Sequence, residues 1–250
     1  MKISQKATKN KENFMSKPLI LVTNDDGITA PGIRKLISIV NEIGDVIVVA
    51  PNSPQSGKGH AITINSTLSF EELNLDGPQR DFSCSGTPVD CVKMALDKIL
   101  PRKPDLVVSG INHGANSSIN VIYSGTMSAA VEAGVEGLQA IGFSLSDLKW
   151  EADFDQAEDF IKDIILKTLE NPMPKGIVLN VNIPKLPKED IKGIKVCKQA
   201  NAKWEESFAE RTNPHGRKYY WLTGYFNNMD NGKDADETAL GEGYISGVPV

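Results

Sequence analysis

Asn24-Asp25-Asp26-Gly27 sets two adjacent carboxylates directly behind the short apolar run Leu19–Thr23. In a continuing strand, neighbouring side chains face opposite ways, so the pair converges only where the chain turns, as Gly27 permits. Two close carboxylates resist joint ionisation unless a cation sits between them. The same four residues are also common material for a turn and a helix cap. A second polar cluster, Ser109-Gly110-Ile111-Asn112-His113-Gly114-Ala115-Asn116, follows another buried apolar run, and Asn112 there supplies a neutral oxygen. The loop Pro51–His60 adds the hydroxyl of Ser56. Asp25, Asp26, Ser56 and Asn112 are all hard oxygen donors, which suit Mg²⁺ or Mn²⁺ better than zinc. His60 and His113 read as loop histidines that serve hydrogen bonds rather than a metal.

Tyr123-Ser124-Gly125-Thr126 opens a helical pattern with hydroxyls and a glycine. The free N–H groups and dipole of a helix start attract anions, so this segment reads as a phosphate seat. Ser124 is equally a plain N-cap. Ser85-Gly86-Thr87-Pro88-Val89-Asp90 is a further helix start, with Thr87 as cap, Pro88 at the first helical position and Asp90 three residues beyond the cap. Capping accounts for Thr87 by itself.

These segments need a scaffold that brings them together. From Leu19 onward the chain alternates β-branched apolar runs with helical patterns, the signature of a parallel sheet covered on both faces. Expected strands are Leu19–Thr23, Val46–Ala50, Leu106–Ser109, Ala140–Ser144 and Ile177–Val181. Expected helices are Gly32–Ile43, Pro88–Ile99, Ser124–Ala133 and Asp153–Leu169. Ligands of open α/β sheets bind outside the carboxyl ends of the strands, and the acidic and Asn-rich segments stand at those ends. Between Ile62 and Phe82 a β excursion from the main sheet is expected. After Pro184-Lys185-Leu186-Pro187, the runs Ile191–Lys198, Lys218–Thr223 and Gly243–Val248 read as strands of a C-terminal arm. The division that follows is a leader at 1–17, an α/β core at 18–187 and a β arm at 188–250 that serves oligomerisation.

The chain has 250 residues, 40% of them hydrophobic, enough for one large α/β domain with an appendage. A net charge of −5 argues against a broad nucleic-acid-binding face. A small anionic substrate would then be held by a metal or by backbone N–H groups. Cys84, Cys91 and Cys197 show no C-x-x-C spacing, which points away from a disulfide framework and towards a reducing, cytoplasmic setting. Residues 1–17 carry five lysines and no apolar h-region, so they read as a disordered leader rather than a secretory signal, with Met15 as an alternative start. No run is long enough to span a bilayer.

Taken in order, Asn24-Asp25-Asp26-Gly27, Ser56-Gly57, Ser85-Gly86-Thr87-Pro88, the Ser109–Asn116 loop and Ser124-Gly125-Thr126 resemble the SurE family of metal-dependent nucleotidases. The resemblance runs from about Pro18 to the C-terminus, with two departures: the leader, and an ending in a strand-like segment where a helix often follows. It implies a Rossmann-like, doubly wound fold, and one divalent ion (Mg²⁺ or Mn²⁺) per subunit on Asp25, Asp26, Ser56 and Asn112. It implies phosphate contacts from Asn116, Ser124, Gly125 and Thr126, and a homodimer or homotetramer that exchanges its C-terminal arm. The expected reaction is hydrolysis of nucleoside 5'-monophosphates by an activated water, with Asp25 or Asp26 taking the proton; 3'-monophosphates and polyphosphate are further candidate substrates. A nucleic acid polymer or a membrane is not an expected partner. A haloacid-dehalogenase-like phosphatase needs Asp-x-Asp where this chain has contiguous aspartates. A receiver-like phosphoacceptor module needs an acidic end to the third strand, which Ser109-Gly110-Ile111-Asn112 does not supply. A dinucleotide-binding module needs a glycine fingerprint that is missing.

Overall fold

Strand β1, Leu19–Thr23, is buried along its whole length, and its side chains alternate between two apolar clusters. Ile20 and Val22 face one cluster, Leu19 and Leu21 the other, as the two-residue period of a strand between two helical layers requires. The structure, a computed structural model, describes residues 17–250. Apart from Lys17, the leader lies outside the described residues.

Helix α1 (Pro31–Asn41) buries Ile33, Leu36, Ile37 and Val40 at helical spacing, and the chain returns through β2 (Asp45–Pro51). Then follow β3 (Phe70–Leu73), β4 (Arg80–Cys84) and α2 (Pro88–Met94), which ends in a widened turn at Ala95–Ile99. Thr87 and Asp90 close a reciprocal capping box at the start of α2. The second half of the core is β5 (Leu106–His113), α3 (Gly125–Val135), β6 (Ala140–Leu145), α4 (Glu158–Glu170) and β7 (Leu179–Ile183). Residues of α1 and α4 join one apolar cluster, those of α2 and α3 the other. The fold is therefore Rossmann-like and doubly wound.

The main sheet has nine strands in the order β3-β4-β2-β1-β5-β6-β7-β11-β8, where β8 is Ile194–Val196 and β11 is Ile245–Pro249. β1 pairs in parallel with β2 on one side and with β5 on the other, so the winding direction reverses between β1 and β5. Such a switch point leaves a crevice at the carboxyl ends of its two strands.

Two expectations change. The 62–82 segment does not leave the sheet: β4 pairs in parallel with β2, and β3 lies antiparallel against β4. Phe82 and Cys84 bury there in the α2–α3 cluster, which favours the sheet edge over a separate excursion. Nor are all strands after 187 an arm. β11 pairs antiparallel with β7 and parallel with β8, and buries Ile245 and Val248. A short apolar run satisfies its backbone and its side chains together by joining a covered sheet. What projects is β9 (Ala202–Thr212) with β10 (Lys218–Asn228), a two-stranded antiparallel hairpin of which β9 was not expected, followed by the short helix α5 (Asp236–Gly241). No helix among the described residues is long and apolar enough to cross a membrane.

Candidate active site

At the end of β1, the Asn24 Nδ2 group donates to Gly27 O at 2.9 Å and Gly27 adopts φ +102°, a left-handed value that glycine takes without strain. The N–H of Gln55 donates to Asp25 O at 2.8 Å, tying the Ser56 loop to this turn. The two carboxylates meet different partners, while the Asp26 charge still acts on Asp25. Asp25, only 4% exposed, is pressed against the first turn of α3, where its Oδ1 accepts the Thr126 hydroxyl and the Gly125 backbone adds a further hydrogen bond. A Cβ on residue 125 would stand 2.6 Å from the Asp25 Cβ, so the approach requires glycine. Burial pushes the Asp25 pKa up to about 6; the Thr126 hydroxyl pulls it down, and the neighbouring Asp26 charge raises it again.

Asp26 points towards β5. Its Oδ2 accepts Nδ1 of His113 at 2.9 Å and the His113 backbone N–H at 3.3 Å. The His113 ring stacks on Trp150 with centroids 5.3 Å apart and meets Phe154 edge-on at 5.1 Å. Chiefly through the Asp26 hydrogen bond, its pKa lies above the ordinary histidine value.

β5 extends four residues beyond its expected end because its pairing with β6 shifts register between Ser109 and Asn112. The Asn112 Nδ2 group donates to Gly114 O at 2.7 Å and His113 O at 3.3 Å, so both amide hydrogens are engaged and Oδ1 is the free end. Asp25, Ser56 and Asn112 line one cleft of about 450 Å³ together with His113, Asn116 and Ser124. Asp26, Gly125 and Thr126 are not in its wall. No group of three or more His, Cys, Asp or Glu side chains gathers among the described residues. A cation in this cleft would therefore rest on carboxylate, hydroxyl and amide oxygens. That hard donor set, with Asn112 turned oxygen-outward and a buried carboxylate at its centre, fits Mg²⁺ or Mn²⁺.

In the same cleft, Ser124 Oγ accepts the Met127 N–H at 3.0 Å as the N-cap of α3, which leaves its own O–H free to donate. Asn116 is buried; one hydrogen of its Nδ2 group goes to Ser144 Oγ at 2.8 Å and the second is free. Asn182 Oδ1 accepts the Asn116 N–H at 2.7 Å, and Asn180 donates to Asn116 O at 2.8 Å. The alternation Asn180-Val181-Asn182 inside a buried strand was the available signal for this scaffold, since buried amides require partners. Of the expected phosphate contacts, Gly125 and Thr126 lie outside the cleft wall, and the fully buried Thr126 hydroxyl is committed to Asp25.

Sequence reasoning missed Glu132. Buried on α3, it accepts His60 Nε2 at 2.7 Å and also pairs with Lys93, linking the Ser56 loop to α2 and α3. Both loop histidines thus pair with acidic side chains.

A Rossmann-like α/β protein whose switch-point crevice gathers hard oxygen donors beside a helix N-terminus belongs to the class that handles phosphorylated small molecules. The family model described as "Survival protein SurE" matches residues 20–206. A protein named 5'-nucleotidase SurE from Christiangramia forsetii is 67% identical over 236 residues, 94% of this chain and 91% of that protein. One of the same name from Phocaeicola vulgatus is 42% identical over 235 residues, 94% of this chain and 91% of that protein. Among solved structures, the SurE protein from Aquifex aeolicus superimposes with a TM-score of 0.80 at 36% identity, covering 93% of both chains. This chain belongs to the SurE family.

Proposed function

We propose that this protein is a divalent-metal-dependent 5'-nucleotidase that hydrolyses nucleoside 5'-monophosphates to nucleoside and phosphate. The observation that carries the reading is the crevice between β1 and β5, where Asp25, Ser56 and Asn112 line one cleft together with Asn116 and Ser124. The name borne by the family relatives supports the same activity. Asp25, Ser56 and Asn112 at the cleft wall, with Asp26 beside Asp25, would hold one Mg²⁺ or Mn²⁺ ion per subunit. When bound, that ion supplies Lewis-acid charge at a phosphoryl oxygen and lowers the pKa of its water.

The chain's own residues do the rest. The Ser124 hydroxyl and the second Asn116 Nδ2–H donate to phosphoryl oxygens, and the positive end of α3 stabilises the charge that builds on them. Gly125 and Thr126 act through Asp25: they fix its carboxylate at the cleft wall, where it is placed to accept the proton of the attacking water. Asp26, held by His113, supplies the adjoining negative charge.

The β9–β10 hairpin exposes Phe208, Trp221, Leu222 and Tyr225. An isolated two-stranded ribbon with apolar side chains on both faces gains stability by docking. This reading has the hairpin reaching onto a second subunit of a homodimer or homotetramer, with the nine-stranded α/β body, β8 and β11 included, as the catalytic core. The buried thiols Cys84, Cys91 and Cys197 suit a reducing cytoplasm. The test is a panel of nucleoside 5'- and 3'-monophosphates and polyphosphate with Mg²⁺, Mn²⁺ or EDTA. The expected result is 5'-monophosphate hydrolysis that EDTA abolishes and Mn²⁺ or Mg²⁺ restores. Full turnover in chelator would overturn the metal-dependent reading.

A further inference from the structure

The catalytic cleft continues into a second cleft of about 530 Å³ under the base of the β9–β10 hairpin, and Gly57, Tyr123 and Trp204 border both. Trp204 is held on two sides. Its indole Nε1–H donates to Asn120 Oδ1 at 2.8 Å, and its ring meets Phe226 at 5.6 Å and 63°. It remains 42% exposed. An indole whose polar group is satisfied and whose orientation is pinned offers an apolar π-face to whatever enters the cleft.

Tyr123 stands immediately before Ser124 and is 50% exposed, while its carbonyl accepts the Gly59 N–H at 3.2 Å. The phosphate donor and this aromatic ring therefore hang from consecutive residues of one anchored segment. Among the residues lining the second cleft the only charged side chain is Glu206, which forms no hydrogen bond or ion pair among the described residues. An uncompensated carboxylate repels a further phosphate and accepts N–H groups. A flat, neutral, N–H-bearing ring attached to a phosphate that lies next door meets all of these conditions.

We propose that the second cleft is the nucleobase subsite, with Trp204 and Tyr123 as its stacking surfaces and Glu206 facing the N–H edge of the base. The inference rests on the nucleotidase reading above and adds what that reading lacks, the residues by which a nucleotide is told from any other phosphomonoester. Stacking tolerates every base because every base has a π-face, so the subsite selects nucleotides as a class.

The test compares adenosine 5'-monophosphate with ribose 5-phosphate, which carries the same phosphate and sugar without the base, in the wild type, Trp204→Leu, Trp204→Phe and Tyr123→Leu. The ratio of kcat/KM for the nucleotide over the sugar phosphate should fall about tenfold in each Leu variant and recover in Trp204→Phe. A ratio unchanged in both Leu variants would overturn the subsite. Free adenosine should also inhibit ribose 5-phosphate hydrolysis by the wild type competitively, a readout that does not depend on any variant folding; absence of inhibition up to the solubility limit would overturn it as well. A wild type that hydrolyses ribose 5-phosphate as efficiently as the nucleotide removes the base subsite alone. One that hydrolyses neither with Mn²⁺ present removes the nucleotidase reading and the subsite together.

Discussion

The hydroxyl of Thr126, in the first turn of α3, donates to Oδ1 of Asp25 at the end of β1. This contact joins the strand that carries the buried carboxylate to the helix whose N-cap, Ser124, lines the same cleft. The same turn brings the Gly125 backbone to that carboxylate, and Asp25 is the most buried acid lining the crevice.

Asp25 trades stability for chemistry. Its folded pKa of about 6 lies above the ordinary 3.8, so the folded state binds the proton more tightly than the unfolded state. The metal-free protein therefore loses stability as pH rises from about 4 to 6, with the full cost, on the order of 3 kcal/mol, present above that window. Asp25→Asn should abolish turnover yet raise the melting temperature of metal-free protein at pH 7.5, and the gain should vanish below pH 4. Melting curves in EDTA across this range decide it; a destabilised Asp25→Asn at pH 7.5 refutes the account.

Ser124 and Thr126 separate a cleft donor from a positioning residue. Ser124→Ala should cost about 0.5–2 kcal/mol as a lost cap and lower kcat roughly a hundredfold as a lost donor to developing charge. Thr126→Val acts through Asp25, so Thr126→Ser should restore both stability and turnover. Thermal melts with steady-state kinetics on the three variants give the comparison. A Ser124→Ala protein with wild-type kcat would assign that residue to the fold alone.

Glu132 provides a pH test away from the metal ligands. Burial alone would raise its pKa, but Lys93 and His60 together hold it below the ordinary 4.5. A depressed carboxylate stabilises the fold above its unfolded pKa and loses that contribution as pH falls through the folded value. Glu132→Gln should be less stable than wild type by about 1 kcal/mol at pH 7, most of the discount coming from the half-exposed Lys93. The gap should begin to narrow as pH falls below 4.5 and keep narrowing towards lower pH. Denaturant titrations from pH 7 downward measure it, and a gap that does not narrow with acidification contradicts the ion-pair origin.

The hairpin is testable by mass. Light scattering at micromolar concentration should report a dimer or tetramer for the wild type and a smaller species for the Phe208→Glu, Trp221→Lys double variant. A strictly monomeric wild type would remove the exchanged-hairpin proposal while leaving the catalytic cleft untouched.

The two-residue and 3.6-residue periods of burial are local properties, and they made the core legible. Leu19–Thr23 is a strand in the expected bounds, and the helices around Gly32–Ile43 and Ser124–Ala133 differ from the observed ones only at their ends. Strand-end chemistry was legible for the same reason: a ligand site of an open sheet lies where strands stop, so Asp25, Asn112 and Ser124 declared themselves by position. Tertiary structure decided what depends on residues far apart in sequence. β4 and β11 enter the main sheet through partners that their own periodicity does not name, since any short apolar run accepts whichever open edge the fold offers it. The division of labour between Asp25 and Asp26 follows from which neighbour each meets, Thr126 on α3 or His113 on β5. Tyr123 and Trp204 lie on opposite sides of two folded segments in the sequence and become one wall only because Asn120 pins the indole beside the helix that Ser124 caps.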